Sequence, residues 1–331
     1  MTLLLDSLAL RPVDRRPLWV MRQAGRYLPE YRELRSHHTF QEAIRDPKLA
    51  TEITLQPIRR FGFDGAIMFA DIMTPLEAMG IDMTFDPGPK LRPMSLAEIA
   101  DLPDLDLDRV WHVAETLRLV RREVPDDVTV IGFAGAPTTL LAYLLEGNGS
   151  KEYLPLRTAM QQETPELEAA LAKLATAMHA YLDMQIDAGA QVVQLFDSWA
   201  GILPRDLLVG RSFVAAREVL AALDAPTIYF APGAGHALGS MAQVGASAYG
   251  VDWRIPIDEA WDQLGPDVAI QGNLDPAVLL TNPDQIHASV GALIERTAGR
   301  PGHIVNLGHG IDRHTPLENV AALVAATKQV P

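Results

Sequence analysis

The sequence is organised around residues 17–35, PLWVMRQAGRYLPEYRELR. The stretch begins as an apolar run, Leu18–Met21, and then places Gly25 among four arginines: Arg22, Arg26, Arg32 and Arg35. Arginine suits an anion site, because its planar guanidinium binds a carboxylate or phosphate bidentately and keeps its charge when partly desolvated. The pattern therefore indicates a β-strand whose carboxyl end opens onto an anion site.

The alternative is that these arginines are solvated or pair with the glutamates of the same stretch, and we favour it for Arg32. For Arg22 and Arg26 we favour a role in function, because Gly25 between them is unfavourable in an ordinary helix face. The arginines that follow the apolar run would then mark the position of the functional site.

The composition limits the classes of function. The chain has 331 residues, of which 48% are hydrophobic, and a single α/β barrel can take about 250 residues or more. The formal net charge is −14, which makes nucleic acid and anionic membranes poor partners for the surface as a whole. A polyanionic substrate would need a local basic pocket, and residues 22–35 could supply one.

The sequence contains no cysteine, which excludes disulfides, thiolate zinc sites, iron–sulfur ligation and a cysteine nucleophile. The N-terminal residues MTLLLDSLALRP carry no basic region before their apolar run, so we expect no signal peptide. No apolar run approaches the roughly 20 residues of a membrane span. We expect a soluble, cytoplasmic protein.

Short apolar runs alternate with longer helical segments along the whole chain. The eight runs are 18–21, 66–70, 128–133, 191–196, 226–231, 246–251, 268–271 and 303–307. The predicted helices are 47–60, 108–123, 165–188, 204–223, 236–244, 257–264, 276–281, 284–297 and 316–328. This alternation predicts a (β/α)8 barrel that forms a single domain over residues 1–331. Residues 81–94 are rich in proline and glycine and predict a small hairpin or loop insert after the second strand.

Active sites of such barrels lie at the carboxyl ends of the strands. The residues predicted there are polar or otherwise unusual for a strand end: Arg22–Arg26, Asp71, 135–137, 197–198, 232–235, Asp252, Asn273 and 309–310. We expect several of these to converge on one barrel mouth, although they are far apart in the sequence.

Asp71 is the strongest single candidate. A strand-end aspartate is often a helix N-cap, but Thr74 and Glu77 with Pro75 between them predict a capping box of their own. Asp71 is then left among apolar neighbours, where a carboxylate is costly to bury without a cationic or N–H partner. We therefore predict a functional role for Asp71.

Other candidates have open alternatives. Tyr143 lies among leucines in APTTLLAYLLEG, and the pattern by itself favours core packing. Ser198 directly follows a strand but lacks the G-x-S-x-G motif, so a hydrogen-bonding role and a turn role are equally open. Asp197 could equally cap the following turn.

The sequence gives no support for a metal or nucleotide. His303 precedes the last strand whereas His309 follows it, so the two should lie at opposite ends of the barrel. The segment GAGHALG at 233–239 misses the dinucleotide fingerprint, and no Walker A motif occurs. We expect no metal and no nucleotide cofactor, and His309 could donate a hydrogen bond to an anionic ligand.

Several motifs together resemble the uroporphyrinogen decarboxylase family. They are MRQAGRYLPEYRELR (21–35), GFDGAIMFADIMTPLEAMG (62–80), GFAGAPTTLLAYLLEG (132–147), LFDSWAG (195–201), GNLDP (272–276) and NLGHGI (306–311). The resemblance implies a cofactor-independent (β/α)8 barrel, usually a homodimer. It also implies removal of carbon dioxide from the four acetate side chains of uroporphyrinogen III, which yields coproporphyrinogen III for haem and other tetrapyrroles.

The resemblance also implies roles for particular residues. It makes Asp71 and Arg22 catalytic, and it places a larger set in contact with substrate: Arg22, Gln23, Ala24, Gly25, Arg26, Arg35, Asp71, Tyr143, Ser198 and His309. For Tyr143 the resemblance outweighs the core role that the pattern favoured. Two alternatives remain: a related barrel methyltransferase that acts on a corrinoid or thiol, and a non-catalytic tetrapyrrole carrier.

Overall fold

The computed structural model describes residues 2–85 and 88–329. Its strands are β1 (Gly65–Ile67), β2 (Met83–Phe85), β3 (Pro89–Leu91), β4 (Thr129–Gly135), β5 (Val192–Phe196), β6 (Thr227–Phe230), β7 (Ala248–Gly250), β8 (Ala269–Leu274) and β9 (His303–Leu307). Seven of them form one parallel sheet in the order β1-β4-β5-β6-β7-β8-β9. This is an α/β fold with a curled parallel sheet, consistent with a TIM-type barrel.

The helices alternate with these strands. The α-helices are α1 (Leu3–Leu8), α2 (Pro29–His37), α3 (Phe40–Arg45), α4 (Pro47–Phe61), α5 (Thr74–Ala78), α6 (Leu96–Ala100), α7 (Trp111–Glu123), α8 (Pro137–Glu146), α9 (Leu154–Gln161), α10 (Pro165–Asp187), α11 (Arg205–Leu207), α12 (Phe213–Leu220), α13 (Leu238–Met241), α14 (Ile257–Leu264), α15 (Pro283–Arg296) and α16 (Leu317–Gln329). Short 3-10 helices span Leu107–Val110, Ala200–Ile202, Ala234–Ala237, Ala242–Val244 and Pro276–Leu280, and Leu208–Ser212 is a π-helical turn.

Helix α4 illustrates how the sequence sets the boundaries. The Asp46 carboxylate accepts hydrogen bonds from the backbone N–H groups of Lys48 and Leu49, and Pro47 occupies the first turn, where its missing N–H costs nothing. Gly62 ends the helix at φ 66°, a conformation that glycine adopts without strain. The chain is thereby turned directly into β1.

The predicted first strand at residues 18–21 is wrong. Only Leu18 forms a parallel bridge, with Val305 of β9. Three of the four backbone N–H groups of the segment instead donate to side chains: Leu18 N–H to Asp64, Val20 N–H to Gln23 and Met21 N–H to Asn306. The fourth, Trp19 N–H, donates to Val305 O at 3.4 Å. These side chains occupy the positions that a neighbouring strand would otherwise take, so a regular ladder cannot form.

The same segment nevertheless lies between the two edges of the sheet. The Val305 N–H of β9 donates to Pro17 O at 2.9 Å, and the Asp64 N–H beside β1 donates to Leu18 O at 2.8 Å. Each of the other seven predicted runs contains a strand of the sheet. The segment thus occupies the place of an eighth strand without forming one.

Three predicted helices are interrupted or of another type. Residues 204–223 contain the π-helical turn around Gly210, and 236–244 is mostly 3-10 helix and the four-residue α13. Residues 276–281 form a 3-10 helix rather than an α-helix. Glycine lowers helix propensity, and Gly210 lies within the π-helical turn that interrupts the first of these helices.

Buried polar side chains link the segment 17–21 to the sheet interior. Trp19 Nε1 donates to Gln271 Oε1 at 3.0 Å, and Gln271 Nε2 donates to Gln194 Oε1 at 3.0 Å. All three side chains are almost completely buried. The hydrogen bonds satisfy groups that would otherwise be costly in the interior, and they join strands β5 and β8 to the first segment.

Strands β2 and β3 lie in the segment predicted as an insert and pair antiparallel, with Met83 opposite Leu91. Residues 86 and 87, which join them, lie outside the described residues. Leu91 N–H donates to Gly147 O at 2.8 Å, and a Cβ at Gly147 would stand 2.7 Å from Leu91 O. Only glycine therefore allows this close approach between β3 and the end of α8.

The Asp64 carboxylate predicts a large local effect on stability. It accepts two bonds from the Arg15 guanidinium, at 2.8 and 2.6 Å, and one from the buried Leu18 N–H at 2.8 Å. We expect Asp64→Ala to lower the free energy of unfolding by about 3 kcal/mol, because the Leu18 N–H loses its buried partner and Arg15 loses both acceptors.

The measurement is guanidinium unfolding, with Asp262→Ala as the control. Asp262 also pairs with an arginine, Arg300, at 2.7 Å, but both side chains are largely exposed, so the loss should be about 0–1 kcal/mol. Equal losses in the two variants would contradict the role given to Asp64.

Candidate active site

Arg22 is held at the mouth of the sheet by an unusual backbone conformation. Its φ is 63°, in the left-handed region that costs free energy for a side chain other than glycine. Its side chain packs on Gly310, where an added Cβ would stand 2.5 Å from Arg22 Cδ. The loop after Met21 and the loop after β9 therefore meet at this guanidinium.

Asp71 follows β1 and is half-buried. Its Oδ1 accepts a hydrogen bond from Met73 N–H at 2.8 Å. Burial raises the pKa of Asp71 to about 6; the Met73 hydrogen bond and the Arg22 guanidinium act to lower that pKa, and the Glu77 carboxylate acts to raise it. The carboxylate is thus a poorly solvated anion that is near its titration point at neutral pH.

The predicted capping box at Thr74 and Glu77 is wrong. Thr74 is the first residue of α5, and its buried hydroxyl has no hydrogen-bond partner in the described part of the chain. Glu77 instead pairs with Arg45 at 3.0 Å. The side-chain acceptor at this helix start is Asp71, so the carboxylate has a local structural contact in addition to its place at the strand end.

Tyr143 projects from α8 toward the same mouth. It is half-buried, and its ring meets the indole of Trp199 edge-on at 6.2 Å between centroids. Burial raises the pKa of Tyr143; the Asp71 carboxylate raises that pKa further and the Arg22 guanidinium lowers it. The phenol therefore shares one electrostatic environment with Asp71 and Arg22 and remains a hydrogen-bond donor at neutral pH.

His309 completes the group from the opposite side. It is half-buried and its ring meets Trp253 edge-on at 6.4 Å. Burial lowers the pKa of His309, and the charges of Arg22 and Arg254 lower it further, against an opposing effect of Asp252. The imidazole is accordingly neutral at pH 7 and can donate one hydrogen bond without carrying charge.

The structure thus brings Arg22, Asp71 and His309, from three loops, together with Tyr143 of α8. His303, at the start of β9, lies at the other end of the strand and bonds through Nε2 to Gly272 O at 2.9 Å. Burial lowers its pKa to about 4. Within residues 2–85 and 88–329, no group of three or more His, Asp or Glu side chains could hold a metal ion.

Residues 23–25 form the turn beside Arg22. The Gln23 side chain is fully buried: its Oε1 accepts from Val20 N–H at 3.2 Å and its Nε2 donates to Gly65 O at 2.8 Å. Ala24 is partly buried against the core, and a Cβ at Gly25 would stand 2.8 Å from Arg22 O. The Gln23 amide therefore fixes the turn from inside and is not at the accessible surface of the site.

The remaining arginines of the stretch differ from one another. Arg26 is exposed, and no carboxylate of the described residues pairs with it. Arg32 is exposed, as expected for a solvated arginine, and donates to the backbone oxygens of Arg26 and Tyr27 at 2.8 and 3.0 Å. Arg35 donates to His38 O and lies 5.8 Å from the Phe40 ring centroid.

The loop after β5 contains two of the predicted polar residues, Asp197 and Ser198, and their environments differ. Ser198 is half-buried in a turn. Asp197 is completely buried and accepts hydrogen bonds from Thr139, Ser212 and Tyr229 at 2.7–2.9 Å. Asp197 is therefore a structural acceptor that ties α8, the π-helical turn and β6 together, and it does not cap the following turn.

The comparisons with known proteins cover almost the whole chain. The family model described as uroporphyrinogen decarboxylase (URO-D) matches residues 1–330. A uroporphyrinogen decarboxylase of Geobacter metallireducens is 44% identical over 97% of this chain and 96% of its own length. One of Syntrophotalea carbinolica is 45% identical over 95% of this chain and 93% of its own length.

The chain belongs to the uroporphyrinogen decarboxylase family. Its fold is shared with a methyltransferase from Methanosarcina mazei, with a TM-score of 0.83 at 23% identity, over 98% of this chain and 97% of the other. It is also shared with a putative vitamin-B12-independent methionine synthase from Listeria monocytogenes, with a TM-score of 0.63 at 12% identity over 96% and 97%. At these identities the likeness concerns the fold alone.

Sequence reasoning missed two tryptophans at the mouth of this family member. Trp199 stacks between Tyr143 and Tyr153, and its buried indole N–H has no hydrogen-bond partner among the described residues. Trp253 packs on His309 and lies 4.3 Å from the Arg254 guanidinium. Both follow a predicted strand by a few residues, so the strand-end rule applied one or two residues further would have found them.

The raised pKa of Asp71 predicts a cost in stability for this uroporphyrinogen decarboxylase family protein. Because the folded-state pKa of about 6 exceeds the ordinary value of 3.8, stability falls as pH rises between the two values and stays reduced above them. Asn carries no charge and its oxygen can still accept the Met73 N–H. We expect Asp71→Asn to be more stable than wild type at pH 8, by up to about 3 kcal/mol.

The check is the melting temperature of both proteins between pH 4 and 8. The difference should shrink as pH falls from about 6 toward 4, because Asp71 becomes protonated in the folded protein. Asp267→Asn is a control at an exposed position and should change little at any pH. A less stable Asp71→Asn at pH 8 would make Asp71 a structural residue.

Proposed function

We propose that this protein removes carbon dioxide from the four acetate side chains of uroporphyrinogen III and yields coproporphyrinogen III, without a metal or cofactor. Its relatives from Geobacter metallireducens and Syntrophotalea carbinolica are named as uroporphyrinogen decarboxylases. The observation that carries the proposal is the desolvated carboxylate of Asp71 beside the Arg22 guanidinium, which pairs with no carboxylate of the described residues.

The reaction requires a place for a pair of electrons. When the C–C bond to the acetate carboxylate breaks, carbon dioxide leaves and the electron pair moves into the pyrrole ring. A ring that has first been protonated is a cation and accepts this pair, which leaves a neutral ring with an exocyclic methylene group. A second proton then adds to the methylene carbon to form the methyl group, and the ring releases the first proton. Stabilising the cationic pyrrole is therefore the main task of the protein.

Asp71 can perform this task in its ionised form. Its carboxylate would accept hydrogen bonds from the pyrrole N–H groups at the centre of the macrocycle and oppose the positive charge that develops there. Because the site replaces water around this carboxylate, its interaction with a cation is stronger than it would be in solvent. One carboxylate could serve all four rings if the macrocycle turns or rebinds between steps.

The cationic and neutral donors around Asp71 suit the substrate's carboxylates. Arg22 and Arg26 have no competing carboxylate in the described chain, and neutral His309 and Tyr143 can donate without titrating near pH 7. The proposed contact set is Arg22, Gln23, Ala24, Gly25, Arg26, Arg35, Asp71, Tyr143, Ser198 and His309. Residues 23–25 would contribute backbone groups, since the Gln23 amide is engaged internally.

The proton donor has three candidates. Arg22 lies beside Asp71, but its high pKa makes a guanidinium a reluctant acid. A bound water molecule and a carboxyl group of the substrate are the others. Arg22 is therefore assigned first to carboxylate binding and to electrostatic support of the ionised Asp71.

Further parts of the proposal rest on the family resemblance. They are a closed (β/α)8-type barrel, in which residues 17–21 take the place of one strand and which forms one domain over residues 1–331, a homodimer and a cytoplasmic location. None of the described helices is long and apolar enough to cross a membrane. Methyl transfer is the alternative within the same fold; this chain has no cysteine to supply a thiolate zinc ligand.

Substitutions at Asp71 test the mechanism. Asp71→Asn keeps the size and an oxygen acceptor but removes the charge, so turnover of uroporphyrinogen III under anaerobic, saturating conditions should fall by orders of magnitude, roughly 10²-fold or more. Asp71→Glu keeps the charge at a shifted position and should retain part of the rate. The products are measured by chromatography after oxidation, alongside a thermal melt of each variant.

The outcomes separate the alternatives. Near wild-type turnover in a folded Asp71→Asn protein would refute the mechanism. No turnover by the wild type, with retained tetrapyrrole binding, would favour the carrier. Activity that is lost on chelation and restored by one metal ion would refute cofactor independence.

Gly310 tests the position of Arg22. In Gly310→Ala the new Cβ would stand 2.5 Å from Arg22 Cδ, so the guanidinium must move. We expect KM for uroporphyrinogen III to rise about tenfold, because a hydrogen bond to a charged group is worth about 1.5–3 kcal/mol. The melting temperature should change little.

The matched control is Gly291→Ala in the middle of α15. Nothing lies within 4 Å of a Cβ at Gly291, so alanine should leave the kinetics unchanged and stabilise the helix by about 0.5–1 kcal/mol. An unchanged KM in Gly310→Ala would show that Arg22 does not need its present position.

A further inference from the structure

A second concave site lies between α3, α5 and the start of α7, and we call it the α5–α7 cavity. Its volume is about 450 Å³, within the range of small-molecule sites. The side chains that matter here are Arg45, Thr74, Glu77, Arg109, Trp111 and His112. None of the proposed contact residues of the barrel mouth lines this cavity.

Two nearly buried polar side chains of the lining have no partner among the described residues. Thr74 is 3% exposed, and its hydroxyl, which is sealed from solvent, makes no hydrogen bond with any described residue. His112 is 7% exposed; its backbone oxygen accepts from Thr116, but no described residue bonds to its imidazole, whose nitrogens are not sealed from solvent. A nearly buried polar group of this kind is satisfied only by a ligand or water. The His112 imidazole is therefore open to a ligand in the cavity.

The charges of the cavity favour an anion. Glu77 pairs with Arg45 at 3.0 Å, whereas Arg109 pairs with no carboxylate in the described ranges. His112 adds no charge at neutral pH, because burial and the nearby Arg45 lower its pKa to about 4. The lining is therefore net positive in a protein whose formal net charge is −14.

Trp111 gives the cavity an aromatic wall. Its side chain is 59% exposed, an unusual state for the largest apolar residue, and it meets His112 edge-on at 6.3 Å. An indole beside guanidinium groups can stack on a flat apolar body while the cations hold an attached oxyanion. The aromatic wall thus suits a flat apolar body, and the positive charges suit an oxyanion group on the same molecule.

We propose that the α5–α7 cavity binds a small organic anion with one oxyanion group, a carboxylate or phosphate, on a planar apolar body. Arg109 and Arg45 hold the oxyanion. His112 makes a hydrogen bond to a polar atom of the same ligand, and Trp111 covers its flat face. The proposal does not depend on the reaction at the barrel mouth.

The binding test uses the full chain and four probes in calorimetry. Benzoate and phenyl phosphate have both features of the ligand, whereas benzyl alcohol lacks the charge and inorganic phosphate lacks the flat body. We expect the first two to bind at least tenfold more tightly than the last two. The ratio between benzoate and phenyl phosphate tells which oxyanion the cavity prefers.

Variants locate the binding. Arg109→Ala should weaken the better probe at least tenfold. Arg122→Ala, an exposed arginine further along α7, should leave the affinity unchanged. Arg22→Ala should also leave it unchanged, which separates the cavity from the barrel mouth.

Three results would overturn the proposal. The first is that no probe binds at about 10 mM, a concentration far above the dissociation constant of a specific site. The second is that Arg109→Ala and Arg122→Ala weaken binding equally. The third is that binding is lost in Arg22→Ala alone. A lower mass of Trp111→Ala than of wild type in light scattering would also overturn it. That result would mean that a second copy of the chain covers this cavity, so that no small ligand is needed.

Discussion

The rest of the structure depends on how the backbone of residues 17–21 is satisfied. Three of its N–H groups donate to the side chains of Asp64, Gln23 and Asn306, while its oxygens accept from the backbone of the first and last strands. Buried peptide groups must be paired, and these side chains pair them without a regular strand. The segment can therefore close the gap between β1 and β9 and still end in the sharp turn that carries Arg22.

Several features of the candidate site lower the free energy of unfolding, and the rest of the fold has to offset them. Arg22 has a left-handed backbone conformation, and Asp71 is an ionisable group among apolar residues. The Trp199 indole N–H is buried and unpartnered in the described chain. Each of these features lowers stability, and such features tend to cluster where a ligand later makes use of them. The extensive apolar core and the satisfied glutamine network lie directly beneath and supply the rigidity.

The sequence predicted the fold class and most of the strand positions, because runs of apolar residues are a direct consequence of burial on both faces of a parallel sheet. The predicted strand at Leu18–Met21 was wrong, because side-chain acceptors as distant in sequence as Asn306 replace the hydrogen bonds of a neighbouring strand. The predicted helix cap at Thr74 was also wrong, because the side-chain acceptor at that helix start is Asp71. Both errors involve side chains that bond to a backbone group, a choice that depends on tertiary position. Trp199 and Trp253 were missed because aromatic residues near strand ends usually pack in the core.

The bridge between Leu18 and Val305 has a consequence for the protein during its synthesis. A ribosome adds about 5–20 residues per second, so β9 emerges roughly 15–60 s after the segment that it must pair with. Throughout this time Trp19, Val20 and Met21, which are buried in the finished protein, have no last strand to cover them. The mouth of the site is thus assembled only when the chain is nearly complete.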